Sequence, residues 1–319
     1  MEKPLISFII TYYNLPVNML KECIDSILAL TLRPFEREII IVDDGSDVCP
    51  MNELMAYGHE IIYMRLKHNG LSTARNNGIR MAQGEYLQFI DGDDKILQTP
   101  YEQCLDIVRY HQPDMVLFRL THSAVVQTNI QYNDPISGVD YMRKNNIRGS
   151  ACGYIFRSGI LGELRFTPGI WHEDEEFTPL LLIRAEKVYA TDAQAYYYRR
   201  RANSISTDNG IRHRLRKLND AKNVILRLTE TADRLPTNDR IAMQRRTAQL
   251  TMDYLYNVIR QTRSRHYLNR CIEDLHKHGL FPLPKRSYTT KYKWFRRLTN
   301  SNLGLSLLMW LVPILGKEK

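Results

Sequence analysis

Over the first 120 residues, short apolar runs alternate with stretches whose apolar side chains recur at helical spacing. Residues 5–13, 38–42, 61–66, 86–90 and 115–120 are rich in Ile, Val, Phe and Tyr and nearly continuous in apolar character. That predicts strands covered on both faces, because a half-exposed strand would alternate. Residues 17–30, 71–82 and 100–110 read as helices, with Pro100 near one start and Gly84 just past another end. Strand–helix alternation predicts an α/β fold around a mostly parallel sheet flanked by helices. Residues 121–198 are mixed and polar. Beyond them the pattern turns helical, most clearly at 211–228 and 241–263.

The end of the chain differs. The basic run KYKWFRR at 291–297 precedes LGLSLLMWLVPILG at 303–316, which is 14 residues without a charge. A membrane span needs about 20 apolar residues. The expectation is instead an amphipathic interfacial helix, about 291–316, anchored by Trp294 and Trp310. A core helix docked on its own domain is the competing reading. Removal of residues 291–319 would then release the protein from anionic vesicles and leave nucleotide binding intact.

Composition narrows the classes. With 44% hydrophobic and 25% charged residues, the chain is ordinary globular protein rather than disordered. The five cysteines, Cys23, Cys49, Cys104, Cys152 and Cys271, are scattered, odd in number and never at C-x-x-C spacing. A disulfide framework and a zinc site are therefore not expected, and a reducing, cytoplasmic compartment is. The opening MEKPLISFIITYYN has one lysine before its apolar run and no small-residue cleavage site after it, so a buried first strand is expected rather than a secretory signal. Charge is uneven. Residues 1–198 carry 18 Lys and Arg against 26 Asp and Glu, net −8; residues 199–319 carry 26 against 9, net +17. An acidic half suits a metal-dependent site, and a basic half suits an anionic surface.

Ligands of open α/β sheets bind beyond the carboxyl ends of the strands. Three clusters fall at such ends. Thr11-Tyr12-Tyr13-Asn14 follows the first predicted strand and could be packing alone. Asp43-Asp44-Gly45-Ser46 follows the second; a carboxylate there can accept from a base or a ribose, or serve an Asx-turn of its own loop. Asp91-Gly92-Asp93-Asp94 follows the strand at 86–90. Three carboxylates in four residues repel one another, and a hard divalent cation would relieve that, binding one or two of them together with diphosphate oxygens. Gly92 permits a tight turn there. Farther on stands His172-Glu173-Asp174-Glu175-Glu176-Phe177, which by itself reads as an acidic helix start.

In order and spacing, SFIITYYN, IVDDGS, HNGLSTARNNGI, QFIDGDD and HEDEEF resemble glycosyltransferase family 2 across residues 5–205. The resemblance implies a GT-A fold at 1–205, with a nucleotide-binding part at about 1–120 and an acceptor part at about 121–205, followed by a helical basic region at 206–319. It implies inverting transfer from a nucleotide-diphosphate sugar, often UDP-linked, to a saccharide or lipid-linked saccharide, with Mn²⁺ or Mg²⁺. Carried over by residue, Asp43 matches the acid that contacts the base. Thr11, Tyr13 and Asn14 match the loop lining the nucleoside pocket, and Arg75 lies beside the nucleotide. Asp91-Gly92-Asp93 matches the D-x-D motif, with Asp93 the direct metal ligand and Asp91 its companion. Asp174 matches the catalytic base, with Glu173 its rival. Trp171 and His172 precede that base, where an aromatic could stack on a sugar face of the acceptor or be simply core. One of Arg199, Arg200 and Arg201 could pair with the diphosphate, a surface basic run being the alternative. Where the family often has Pro, this chain has Thr11.

A sugar nucleotidyltransferase would share the α/β nucleotide site and the metal, but would show a Gly-rich, Arg- and Lys-bearing signature near the N-terminus, which residues 1–30 lack. A non-catalytic nucleic-acid or membrane binder would explain the basic half and leave the aspartates unexplained, so nucleic acid is not expected as a partner. The expected setting is the inner face of the cell membrane, as a peripheral protein on an anionic surface.

Overall fold

The computed structural model describes residues 3–123, 125, 127–201, 210–286 and 288–315. The chain divides into two compact units, residues 1–141 with 149–204 and residues 142–148 with 205–319.

The first unit is built around one sheet. In chain order its elements are β1 (Ile6–Tyr12), α1 (Val17–Leu28), β2 (Arg37–Asp43), α2 (Met51–Leu54), β3 (Ile62–Arg65), α3 (Leu71–Met81), β4 (Tyr86–Asp91), β5 (Lys95–Ile96), α4 (Gln98–His111), β6 (Met115–Thr121), α5 (Gly138–Lys144, straddling the division), β7 (Tyr154–Arg157), α6 (Glu173–Leu182) and β8 (Val188–Tyr197). The eight strands lie in the order β3-β2-β1-β4-β7-β6-β8-β5. β3, β2, β1 and β4 are mutually parallel, β7 runs antiparallel between β4 and β6, and β6 pairs parallel with β8. The mostly parallel α/β sheet expected from the pattern is the observed one. The polar stretch at 121–198, which gave no clear period, supplies α6 and two strands of the sheet.

Burial explains the patterns. All seven residues of β1 are buried, as a strand covered on both faces requires. Its one early polar residue, Ser7, is satisfied by donating to Glu38 at 2.5 Å and accepting from the Gly84 amide at 2.8 Å. α1 buries Leu20, Cys23, Ile24 and Ile27, a single helical stripe. An aromatic cluster fixes the start of α6: Phe177 stacks on Phe166 at 3.9 Å, and Phe89 of β4 meets Phe166 edge-on at 5.2 Å.

The second unit is helical: α7 (Ile211–Asp233), α8 (Thr237–Thr262), α9 (Arg265–Lys277), α10 (Thr290–Thr299) and α11 (Asn302–Leu315). Ser264 and Thr289 cap α9 and α10 by accepting from the Tyr267 and Tyr292 amides. The core joins Leu255, Val258 and Ile259 of α8 to Leu268 and Leu275 of α9, Phe295 of α10, and Leu305, Leu308 and Val312 of α11. The tail thus docks on its own unit through one stripe, while Leu303, Leu307, Trp310 and Ile314 stay exposed. No helix among the described residues is long and apolar enough to cross a membrane.

Candidate active site

Register brings the motifs together. Parallel pairing sets Thr11 of β1 opposite Val42 of β2 and Asp91 of β4, and Tyr12 opposite Asp43. Three strand ends therefore deliver their loops side by side, where ligands of such sheets bind.

The β1 and β2 loops are stitched to each other. Asn14, left-handed at φ 47, exchanges two hydrogen bonds with Asp47, at 3.1 and 2.9 Å, and its amide donates to Ser46 Oγ at 2.9 Å. Asp43 is fully buried. Its Oδ1 accepts from the Ser46 amide at 2.8 Å and its Oδ2 from the Tyr63 hydroxyl at 2.7 Å. The bond from the Ser46 amide closes an Asx-turn in this loop. Burial, reinforced by Cys49 and Asp43, pushes the Tyr63 phenol well up, which keeps it a donor. Asp44 accepts from the Asn69 and Gly70 amides, both at 2.9 Å, and lies 2.8 Å from His68 Nδ1, anchoring the loop that leads into α3. The Tyr13 ring stacks on His68 at 4.2 Å and 13°.

Arg75 of α3 joins the two acidic motifs. Its Nη1 donates to Glu173 Oε1 at 2.8 Å and its Nη2 to Asp91 Oδ1 at 3.1 Å, while Thr11 Oγ1 donates to the same Asp91 oxygen at 3.3 Å. The guanidinium also lies over the Phe166 ring at 5.3 Å. Burial of Arg75 disfavours its charge, but Asp91 and Glu173 outweigh that and raise its pKa.

The acidic turn is held from the exit of β8. The Gly92 amide donates to Thr11 O at 2.9 Å, so this backbone lies directly against β1. Asp94, 1% exposed, accepts from the Tyr196 hydroxyl and the Arg199 amide, both at 2.8 Å, and Tyr196 Oη accepts from the Asp91 amide at 3.1 Å. Burial first, then Asp91, pushes the Asp94 carboxyl up to about 8. Asp93 takes a bond from Arg201 Nε at 2.5 Å, while Arg199 bonds the Asp93 carbonyl at 2.8 Å and Glu22 at 2.6 Å. Arg199 and Arg201, considered from the sequence for a diphosphate, here bind the acidic turn. Asp44, Asp94 and Tyr196 carry structural roles that the motifs did not disclose, although Asp44 and Asp94 sit inside them.

At the start of α6 the two candidate bases differ. Glu173 is buried and paired with Arg75. Asp174 accepts from the Glu175 amide at 2.8 Å, and its carboxyl is pushed up to about 7 by burial and by Glu173, against the opposing pull of Arg75. His172, left-handed at φ 67, and Trp171 lead into the helix, His172 exposed and Trp171 half-buried.

The metal expectation can be tested against the donors. The side chains of Asp91 and Asp93 are 32% and 16% exposed, and both offer hard oxygens on one short turn. Among the described residues no three His, Cys, Asp or Glu side chains group to hold an ion by themselves. Two carboxylates completed by ligand oxygens is the arrangement Mg²⁺ and Mn²⁺ accept, so the residues fit.

Residues 7–162 match the family described as Glycosyl transferase family 2. The chain carries a family 2 glycosyltransferase domain. It is 28% identical to the glycosyltransferase GlyA of Streptococcus pneumoniae over 63% of this chain and 31% of that one. It is 28% identical to the uncharacterized glycosyltransferase EpsJ of Bacillus subtilis over 64% of this chain and 63% of that one. It is 26% identical to the poly(ribitol-phosphate) beta-glucosyltransferase of Bacillus spizizenii over 60% and 32% of the respective chains. The matched region thus spans from about a third to under two thirds of these relatives. Among solved structures, S. aureus TarS 1–349 in complex with UDP-GlcNAc aligns with TM-score 0.56 at 15% identity over 92% of this chain and 91% of that one. The mannosyltransferase PcManGT of Pyrobaculum calidifontis, in complex with GDP-Man and Mn²⁺, aligns with TM-score 0.57 at 12% identity over 100% and 89%. The family 2 domain shares its fold with both.

Proposed function

We propose that the chain is an inverting glycosyltransferase that moves a sugar from a nucleotide-diphosphate sugar, UDP-linked, to a hydroxyl of a saccharide acceptor. The acceptor is lipid-linked, the setting is surface-polysaccharide assembly, and the enzyme works as a peripheral protein at the inner face of the cell membrane. One observation carries the transferase reading. The buried Arg75 bridges Asp91 of the acidic turn and Glu173 at the start of α6, so donor-side and acceptor-side carboxylates share one ion-pair network.

In this reading Thr11, Tyr13 and Asn14 line the nucleoside pocket, and Asp43, oriented by Ser46 and Tyr63, contacts the base. Arg75 holds Asp91 and Glu173 in place through its two ion pairs. Asp93 and Asp91 would hold Mn²⁺ or Mg²⁺, which when bound supplies electrostatic stabilisation of the departing diphosphate. Asp174 takes the proton of the attacking acceptor hydroxyl, and Trp171 and His172 orient the acceptor beside it. Glu173 is the weaker candidate for base because its carboxylate is already engaged by Arg75. A raised pKa suits Asp174, since a base works best when its pKa lies near the operating pH. The GlyA relative supports the transferase class, and the poly(ribitol-phosphate) beta-glucosyltransferase relative supports that class and a polymeric acceptor. The UDP-GlcNAc complex of TarS supports a UDP-linked donor.

Calorimetry with UDP and GDP, in Mn²⁺ and in EDTA, tests the donor site on wild type and Asp93→Ala. Binding of UDP that needs Mn²⁺ and disappears in Asp93→Ala, with unchanged circular dichroism, is the expected result. Failure to bind any nucleotide would sink the reading. Release of UDP rather than pyrophosphate from the sugar nucleotide separates it from a nucleotidyltransferase.

A further inference from the structure

α11 has two apolar stripes where docking needs one. Leu305, Leu308 and Val312 enter the helical core. Leu303, Leu307, Trp310 and Ile314 recur at spacings of four, three and four on another side, exposed by 86%, 43%, 64% and 51%. A helix that served only its own core would be polar there. α10, which packs against α11, turns Lys291, Lys293, Trp294 and Arg297 outward, with the Arg297 guanidinium over the Trp294 ring at 5.4 Å.

We propose that α10 and α11 form a face that docks on an anionic lipid surface, the outer stripe of α11 entering the acyl boundary and the basic side chains of α10 pairing with headgroup phosphates. This deepens the peripheral location proposed above by naming the face. Charge selects the occupant. Residues 199–319 carry a net +17, so a second copy seated on this stripe would bring like-charged regions together, whereas an anionic bilayer attracts them. Tryptophans beside basic residues suit the water–lipid boundary, and a 14-residue α11 can lie in that boundary but not cross it. A nucleic acid would use the cations and leave the four apolar side chains unexplained.

The test floats the full chain on phosphatidylcholine vesicles with and without phosphatidylglycerol, in low and high salt, with no sugar nucleotide present. Binding is expected only with phosphatidylglycerol and is weakened by salt. The double variant Leu307→Ser/Trp310→Ser should lose about tenfold or more in vesicle affinity while its thermal unfolding and Mn²⁺-dependent UDP binding stay unchanged. Absence of vesicle binding, or binding undiminished in the double variant, overturns the proposal. So does sedimentation showing a dimer that the double variant dissociates. Any of these leaves the transferase reading standing, because nucleotide binding is measured separately.

Discussion

Arg75 ties together the acids around it. Removing it leaves Glu173 buried without its cation, so Arg75→Ala should cost about 3–5 kcal/mol in urea unfolding. Arg75→Lys keeps the charge but loses the planar fork that reaches Asp91 and Glu173 together, and should recover only part of that stability. Asp174 carries the pH dependence. Its carboxyl sits at about 7 in the free protein, and a general base works deprotonated. kcat/KM should therefore fall as pH drops below about 7, approaching tenfold per unit. Asp174→Asn should lower kcat by roughly 10²–10⁴-fold with UDP affinity preserved and the low-pH limb abolished. Glu173→Gln should instead act through stability and the placement of Arg75, and by removing the charge that helps raise Asp174 it should shift that limb to lower pH without abolishing it.

At the scale of elements, the site exists because three parallel strands end in register. Gly92 marks how close they come. A Cβ there would lie 2.9 Å from Thr11 O, a backbone atom that cannot swing aside. The permissive turn expected at Gly92 therefore has a more specific cause, the contact of β4 with β1. Gly92→Ala should cost about 1–3 kcal/mol in urea unfolding and weaken Mn²⁺-dependent UDP binding in calorimetry by displacing Asp91 and Asp93. The strand ends were legible because apolar runs and the acidic residues closing them are local features. The β8 exit was not. Tyr196, Arg199 and Arg201 reach back across more than 100 positions to Asp94 and Asp93, and no local period announces such a partner.

For the whole molecule, the charge division between acidic and basic halves separates a site that can hold a cation from a surface that can meet anionic lipid. The tail is more than an appendage, because Tyr292, Phe295, Leu305, Leu308 and Val312 belong to the core of the helical unit. Truncation of residues 291–319 should therefore lower the thermal midpoint and raise dye binding to exposed apolar surface. A clean release from vesicles, expected when the tail is read as an interfacial anchor alone, is better sought with the exposed positions Leu307 and Trp310.

The chain's own pattern determined the α/β class, the order of the motifs and the helical end, since each rests on spacings of a few residues and on strand-end chemistry. Tertiary structure decided which groups are engaged. Asp43 meets Ser46 and Tyr63, Glu173 meets Arg75, and one stripe of α11 enters the core. Arg75 meets Glu173 across 98 positions and Arg201 meets Asp93 across 108. Burial and ion pairing are properties of such long-range neighbours, and neighbours are chosen only when the chain folds.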